Sequence, residues 1–381
     1  AFVRWLPEVK GKWVCVSMPQ ITGRPDYNWE EFATESSFEQ MKEKRAAQEK
    51  AWSQNLRNTG YTSRTLNAAL EAAGAAGILQ SRWSKAFGAN KIFSANTEKI
   101  PVIDLSLEDS GMVYRMAENG DQPKIRAVAE SKELGRVPTF NTMATRPGRE
   151  LPGEYIVLSA HFDSWDGGTG ATDNGTGTQT MMEAARILTE VYPNPKRTIL
   201  VGLWNGEEQG LNGSRAFVED HPDIVEKTQA LFNQDNGTGR VVNISMQGLA
   251  GVAPFVGKWM TALPTQVSQH IDLTIPGRPG TGGSDYSSFV CASVPAFSIS
   301  SLSWDYGQTY HNPTDTFDKV IIDDVTNNAV LTATLAYLAS EEPEFLPRDH
   351  SVMGINPRTG EPGTWPSCRP AARNADGYFR R

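Results

Sequence analysis

YIVLSAHFDSWDGGTGATD, Tyr155–Asp173, decides the fold when it is read with WNGEEQG, Trp204–Gly210. The first stretch opens as an apolar, β-branched run that ends on His161, and it places Asp173 twelve residues later in a Gly/Thr loop. The second closes another apolar run, Thr198–Trp204, on the paired glutamates Glu207 and Glu208. Two strands that end in metal-binding side chains predict a hydrolytic metal site on a parallel sheet. Open α/β sheets collect their sites beyond the carboxyl ends of the strands.

Outward from this pair, strand and helix patterns alternate: Tyr155–Ala160, Gly177–Val191, Thr198–Trp204, Gly210–Glu219 and Ala230–Gln234, with a closing helix over Val325–Ser340. Such alternation predicts an α/β fold, a mostly parallel mixed sheet with right-handed crossovers and helices on its faces. Residues 1–135 read as a separate, smaller α+β unit. Its strands are expected at Trp13–Met18, Gly77–Leu79 and Ile100–Leu105, and its helices at Glu30–Leu56, Leu66–Ala76 and Leu107–Asn119. Nothing in it clusters His, Cys and carboxylates, so no chemistry is assigned there. A larger α/β unit over 136–347 follows, and the Pro-, Gly- and Arg-rich residues 348–381 read as an extended or disordered tail.

The 381 residues exceed the usual single-core limit, which favours two domains. A net charge of −8 argues against nucleic acid or an anionic membrane as the main partner. No apolar run reaches the length of a membrane span. The three cysteines, Cys15, Cys291 and Cys368, are odd in number and far apart, which allows one disulfide but not a disulfide scaffold, and Cys291 reads most simply as a small buried hydrophobe.

Candidate ligands then appear in order at strand ends: His161, Asp173, Glu207, Glu208, Asp235 and His311. Zinc takes His nitrogen and carboxylate oxygen, and a hydrolytic site keeps one position open for water. Singly, each has a plainer reading: a hydrogen-bonded core histidine, an Asp-Asn-Gly turn, or an acidic first helical turn. The ordered set outweighs those readings. His221, His270 and His350 stand in polar or loop contexts and read as surface histidines. Asn174-Gly-Thr176 and Asn236-Gly-Thr238 match glycosylation sequons but abut the ligands, so they read as turns.

His161-Phe-Asp163 with Asp173-Asn174, Asn205-Gly-Glu207-Glu208-x-Gly210, Asp235, and His311-x-x-x-Asp315 together resemble the M28 co-catalytic zinc exopeptidases. His161-Phe-Asp-Ser-Trp-Asp166, Gly170-Ala-Thr-Asp173 and Glu344-Phe-Leu-Pro-Arg348 lean toward the carboxypeptidase Q branch, and residues 1–135 resemble the protease-associated (PA) domain inserted in several members. The resemblance implies a zinc exopeptidase fold and two zinc ions per chain. One would be held by His161, Asp235 and a bridging Asp173, the other by Glu208, His311 and the same Asp173. It also implies Glu207 as general base, Tyr310 as oxyanion stabiliser, and Asp163 and Asp315 as supports for the ligands, the first through the His161 ring N–H and the second through His311.

The implied activity is hydrolysis at the terminus of peptides or dipeptides, as an aminopeptidase or a carboxypeptidase Q-type dipeptidase, in a secreted, periplasmic or cell-surface setting. An inactive receptor or scaffold on the same fold and a glutaminyl cyclase-type single-zinc acyltransferase are the alternatives. Two departures stand out. Ser284-Asp285-Tyr286 replaces the Ser-Asp-His of many members, and the peptidase segment that precedes the PA domain in relatives is not in this sequence. A second copy or another chain is therefore expected to cover one face of the sheet, unless the sequence is part of a longer polypeptide.

Overall fold

The computed structural model describes residues 1–88, 90–132, 138–304, 306–355 and 360–373. It divides into two units, Ala1–Glu133 with Gly307–Thr314, and Leu134–Tyr306 with Asp315–Arg381. The 135/136 boundary read from the sequence lies outside the described residues.

In the first unit, β1 (Trp13–Cys15), β2 (Gly77–Gln80) and β3 (Val102–Asp104) form a parallel sheet in that order. The charged stretch is a helix, Glu35–Thr59, started by the Thr34 hydroxyl accepting from Ser37 N–H and closed by Gly60 in the left-handed region. A small core of Val9, Val14, Leu70, Ala75 and Ile78 holds the sheet against the Ser63–Ala72 helix.

The second unit is built on β4 (Thr142–Arg146), β5 (Leu151–His161), β6 (Arg197–Trp204), β7 (Thr228–Asn233), β8 (Val241–Ser245), β9 (Asp272–Thr274) and β10 (Ala296–Ser301). Their order across the sheet is β4-β6-β5-β7-β10-β8-β9. β4 runs antiparallel to β6 and β10 antiparallel to β8, so the sheet is mixed, with a parallel centre. The central strands are buried on both faces, which is why they read as continuous apolar runs. Ile156, Leu158 and Ala160 pack with Met181, Ala184 and Leu188 of the Thr176–Val191 helix and with Leu331, Leu335 and Ala336 of the Ile322–Glu341 helix. Val157, Leu200 and Trp204 face the other way, onto Phe217 of the Asn212–Asp220 helix and onto Phe289 and Val290.

The chain leaves β5 toward β6 on one side and returns past it to β7 on the other. That reversal makes the carboxyl end of β5 a topological switch point, where α/β sheets open a crevice. His161 is the last residue of β5, opposite Trp204 of β6, and Ser159 pairs with Asn233 of β7.

The tail corrects one reading. Cys291 is not an isolated small hydrophobe: it is joined to Cys368 by a disulfide across 77 residues. The described part of the tail is further tied down by Trp365, whose indole N–H donates to Val290 O (3.0 Å) and whose ring stacks on His350 at 3.6 Å. Arg373 adds ion pairs with Glu219 (2.8 Å) and Asp220 (2.7 Å).

Candidate metal centre

His161 sits at the middle of the cluster, 1% exposed. Its Nε2 lies 2.9 Å from Asp235 Oδ1 and 3.2 Å from Asp173 Oδ1. Two groups of side chains have ligand atoms close enough to share a cation: His161, Glu207 and Asp235, and His161, Asp173 and Glu208. These residues come from the ends of β5, β6 and β7 and from the loop after β5.

Each ligand is set by its local backbone. Asp173 lies in Ala171–Gly175, entered through Gly170 at φ +62°, where an added Cβ would meet Ser164 Cβ at 2.5 Å. The following peptide bond, Asp173–Asn174, is cis. The Asn174 side chain accepts from Gly177 N–H (3.1 Å) and donates to Gln234 O (3.0 Å), and the Asn236 side chain accepts from Ser301 N–H (2.9 Å). Both sequon asparagines thus pin local backbone. Below the cluster runs a buried chain of hydrogen bonds. Trp204 Nε1–H donates to Ser159 Oγ (2.8 Å), Ser159 Oγ–H to Asn233 Oδ1 (2.7 Å), and Asn233 Nδ2–H to Ser284 Oγ (2.9 Å). Ser284 in turn bonds Asp235.

The two supporting aspartates also hold backbone beside the cluster. The His161 Nδ1 partner is the main-chain carbonyl of Asp163 (2.9 Å), with the carboxylate 3.7 Å away. That carboxylate also accepts from the backbone N–H groups of Glu207 and Glu208, each at 3.2 Å, and so fixes the turn carrying both glutamates. The Asp315 carboxylate accepts from Thr172 N–H (2.7 Å) and Asp173 N–H (3.0 Å), which positions the Asp173 loop.

Tyr310 and His311 belong to the first unit with Gly307–Thr314. There His311 Nδ1 is 3.1 Å from Ile92 O, its ring meets Phe93 edge-on, and Lys91 sits over the Tyr310 ring. His311 is in neither of the two ligand groups among the described residues.

Two residues of the centre were missed by sequence reasoning. Tyr306 is half-buried and hydrogen-bonded to Asp173, and desolvation of its hydroxyl together with Asp235 and Asp173 pushes it well above its ordinary pKa. Nothing in Trp304-Asp-Tyr306 signals this contact. Asp285 is fully buried at the head of the Tyr286–Val290 helix. A carboxylate interrupting a run that ends in Phe-Val-Cys was the available signal. The Tyr286 ring packs where a Cβ on Gly280 would stand, at 2.4 Å, which accounts for glycine there beside the departure from Ser-Asp-His.

The charges in this space do not balance. Burial opposes the His161 imidazolium, yet Asp235, Asp163 and Asp173 raise its pKa well above the ordinary value. Burial likewise works against the charge of Asp235, which His161 and Ser284 nevertheless hold below its usual value. Burial, reinforced by Asp235, pushes Glu207 well above the usual carboxylate range. One imidazole facing several buried carboxylates is costly unless a cation is bound. The donors are imidazole nitrogen and carboxylate oxygen, which suits zinc and leaves out thiolate chemistry.

Burial also lifts Asp285 from 3.8 to about 7, against the pull of His161. The folded protein therefore holds a proton there that the unfolded chain has released above about pH 4. Stability from this group is present below that pH and is lost as pH rises through about 7, by up to roughly 4 kcal/mol. In the metal-free protein, urea unfolding at pH 4.5 and pH 8 should show Asp285→Asn losing less stability across the interval than the parent. Equal losses in both would contradict the assignment.

Residues 141–338 match the profile of peptidase family M28. Carboxypeptidase Q of Rattus norvegicus is 30% identical over 250 residues, 66% of this chain and 52% of that protein. A glutamate carboxypeptidase 2 homolog of Caenorhabditis elegans is 30% identical over 270 residues, 62% of this chain and 34% of that protein. The chain spans about half the length of the carboxypeptidase Q relatives it matches. In fold it is similar to a peptidase M28 precursor from Shewanella amazonensis (TM-score 0.62, 24% identity, 73% of this chain and 63% of the other). It is also similar to a zinc aminopeptidase from Bacillus subtilis (TM-score 0.54, 19% identity, 90% and 76%).

Proposed function

Because the chain belongs to peptidase family M28, we propose that it is a zinc-dependent exopeptidase that hydrolyses the terminal bond of peptides or dipeptides. The observation that carries this reading is the acidic cluster around His161 at the switch point, with Asp173, Glu207, Glu208 and Asp235 converging on it.

When bound, zinc supplies Lewis-acid polarisation of the scissile carbonyl and of the attacking water. In this reading His161, Asp235 and Asp173 would hold one ion, and Asp173 with Glu208 would hold a second. His311 joins that second set on the sequence pattern alone. Glu207 holds no metal: it takes the proton of the attacking water and delivers it to the leaving amine. A carboxylate whose pKa burial has raised is suited to both halves of that transfer. Asp163 keeps Glu207 and Glu208 apart in role by fixing their turn, and Asp315 keeps the Asp173 loop in place. Tyr310, carried from the family pattern, and Tyr306, beside Asp173, are the two candidates for a hydroxyl facing the tetrahedral oxyanion.

Among the described residues no helix is long and apolar enough to cross a membrane. The Cys291–Cys368 disulfide supports an oxidising setting, in line with export. The test is a panel of dipeptides and aminoacyl anilides, assayed before and after chelation and again after zinc is restored. The reading expects cleavage that chelation abolishes and zinc returns. Full cleavage by metal-free protein, or no cleavage of any member with zinc present, would refute it.

A further inference from the structure

The second unit has a cavity of about 540 Å³ that the metal cluster does not use. Its walls include Arg215, Arg369, Thr281, Ser287, Trp365 and Cys368. Arg215 is half-buried on the Asn212–Asp220 helix, and Arg369 follows the disulfide-bonded Cys368. The covalent tie and the Trp365–Val290 hydrogen bond hold this piece of the tail as one wall, so Arg369 stands where it does by construction.

Two guanidiniums share this space in a chain of net charge −8. They are close enough to repel: burial, and then Arg369, lower the Arg215 pKa. Among the described residues neither has a carboxylate at ion-pair distance. The acid in the wall, Glu219, is already engaged by Arg373 (2.8 Å) and by Ala371 N–H (3.1 Å). A like-charged pair facing a cavity is stabilised by an anion between them, and paired guanidiniums match the two oxygens of a carboxylate. The volume suits a small peptide portion. The cavity also neighbours the centre. Ser288 in its wall bonds Ser214 (2.8 Å), one residue from Arg215, and the Ser287–Ser288 wall begins two residues after Asp285. Arg215 feels the charges of both Asp285 and Glu207.

We propose that Arg215 and Arg369 bind the free C-terminal carboxylate of the peptide substrate, so that the enzyme prefers peptides ending in a carboxylate over C-terminally blocked ones. This rests on the exopeptidase reading above and decides what that reading left open, the end of the substrate that is recognised.

The test is initial-rate kinetics of the zinc-loaded full chain on three matched substrates: a dipeptide, its C-terminal amide, and an amide whose last residue is aspartate. The quantity read is the ratio of kcat/KM for the free dipeptide to that for its amide. The parent should favour the free carboxylate by at least about tenfold, the scale of one charge-assisted contact. Arg215→Gln and Arg369→Gln should each remove most of that preference, mainly through KM. Arg369 is exposed, so its replacement probes the cavity without disturbing the core. Arg186→Gln, which removes an exposed cation elsewhere, should keep the ratio. An unchanged ratio in both cavity variants overturns the proposal. So does a loss confined to the aspartyl amide, which would assign the cavity to an acidic side chain. A parent that cleaves none of the three refutes the exopeptidase reading itself, a result distinct from active enzyme with an unchanged ratio.

Discussion

Glu207→Gln should leave bound metal near the parent level while lowering kcat by at least ~10²-fold, the scale of lost general acid–base help. The amide keeps the shape of the side chain and removes its basicity. Glu207 and Glu208 follow each other in the turn whose backbone N–H groups Asp163 accepts, so the neighbouring change provides an internal control. Glu208→Gln should deplete metal, with activity falling in proportion to the metal lost. Metal content by mass spectrometry beside steady-state kinetics separates the two effects. Swapped phenotypes would reverse the roles.

His161→Ala should have the larger effect on metal. His161 belongs to both ligand groups and is the one imidazole among them, so removing it leaves the first ion to the carboxylates Asp173 and Asp235, in competition with water. The expected result is loss of tightly held zinc and of activity down to the uncatalysed background. The Asp163 carbonyl that fixes the His161 tautomer is main chain, so Asp163→Asn should retain that contact. Its defect should lie in the Glu207–Glu208 turn, giving reduced kcat with metal largely kept. An active His161→Ala protein that retains its zinc would place the centre elsewhere.

How far the sequence carries can be traced residue by residue. The ends of β5, β6 and β7 were legible because strands buried on both faces must be apolar throughout, so a ligand at their carboxyl end stands out as a break. That the sheet is mostly parallel but mixed was expected; which strands run antiparallel was not legible. β8, β9 and β10 are short, and their direction depends on pairing across long connections. The supporting aspartates were found by position, but the backbone groups they also hold were not. Asp315 meets the backbone of Thr172 and Asp173 across more than 140 residues, and spacing to the nearest histidine says nothing of that. Cys291 and Cys368 lie 77 residues apart with no local pattern to pair them. Arg215 and Arg369 are farther apart still, and no single segment gathers the cations of that cavity. Local chemistry was readable; contacts made by the fold between distant, irregular segments were not.

The most direct test of the central claim is a zinc titration of the metal-free chain, with bound metal counted by native mass spectrometry and peptide hydrolysis followed at each step. A site in which Asp173 is shared predicts that activity rises with bound zinc and saturates at two ions per chain. It also predicts that Glu207→Gln takes up the same two ions without the activity. Hydrolysis at full rate before any zinc is bound, or a protein that binds none, would contradict it.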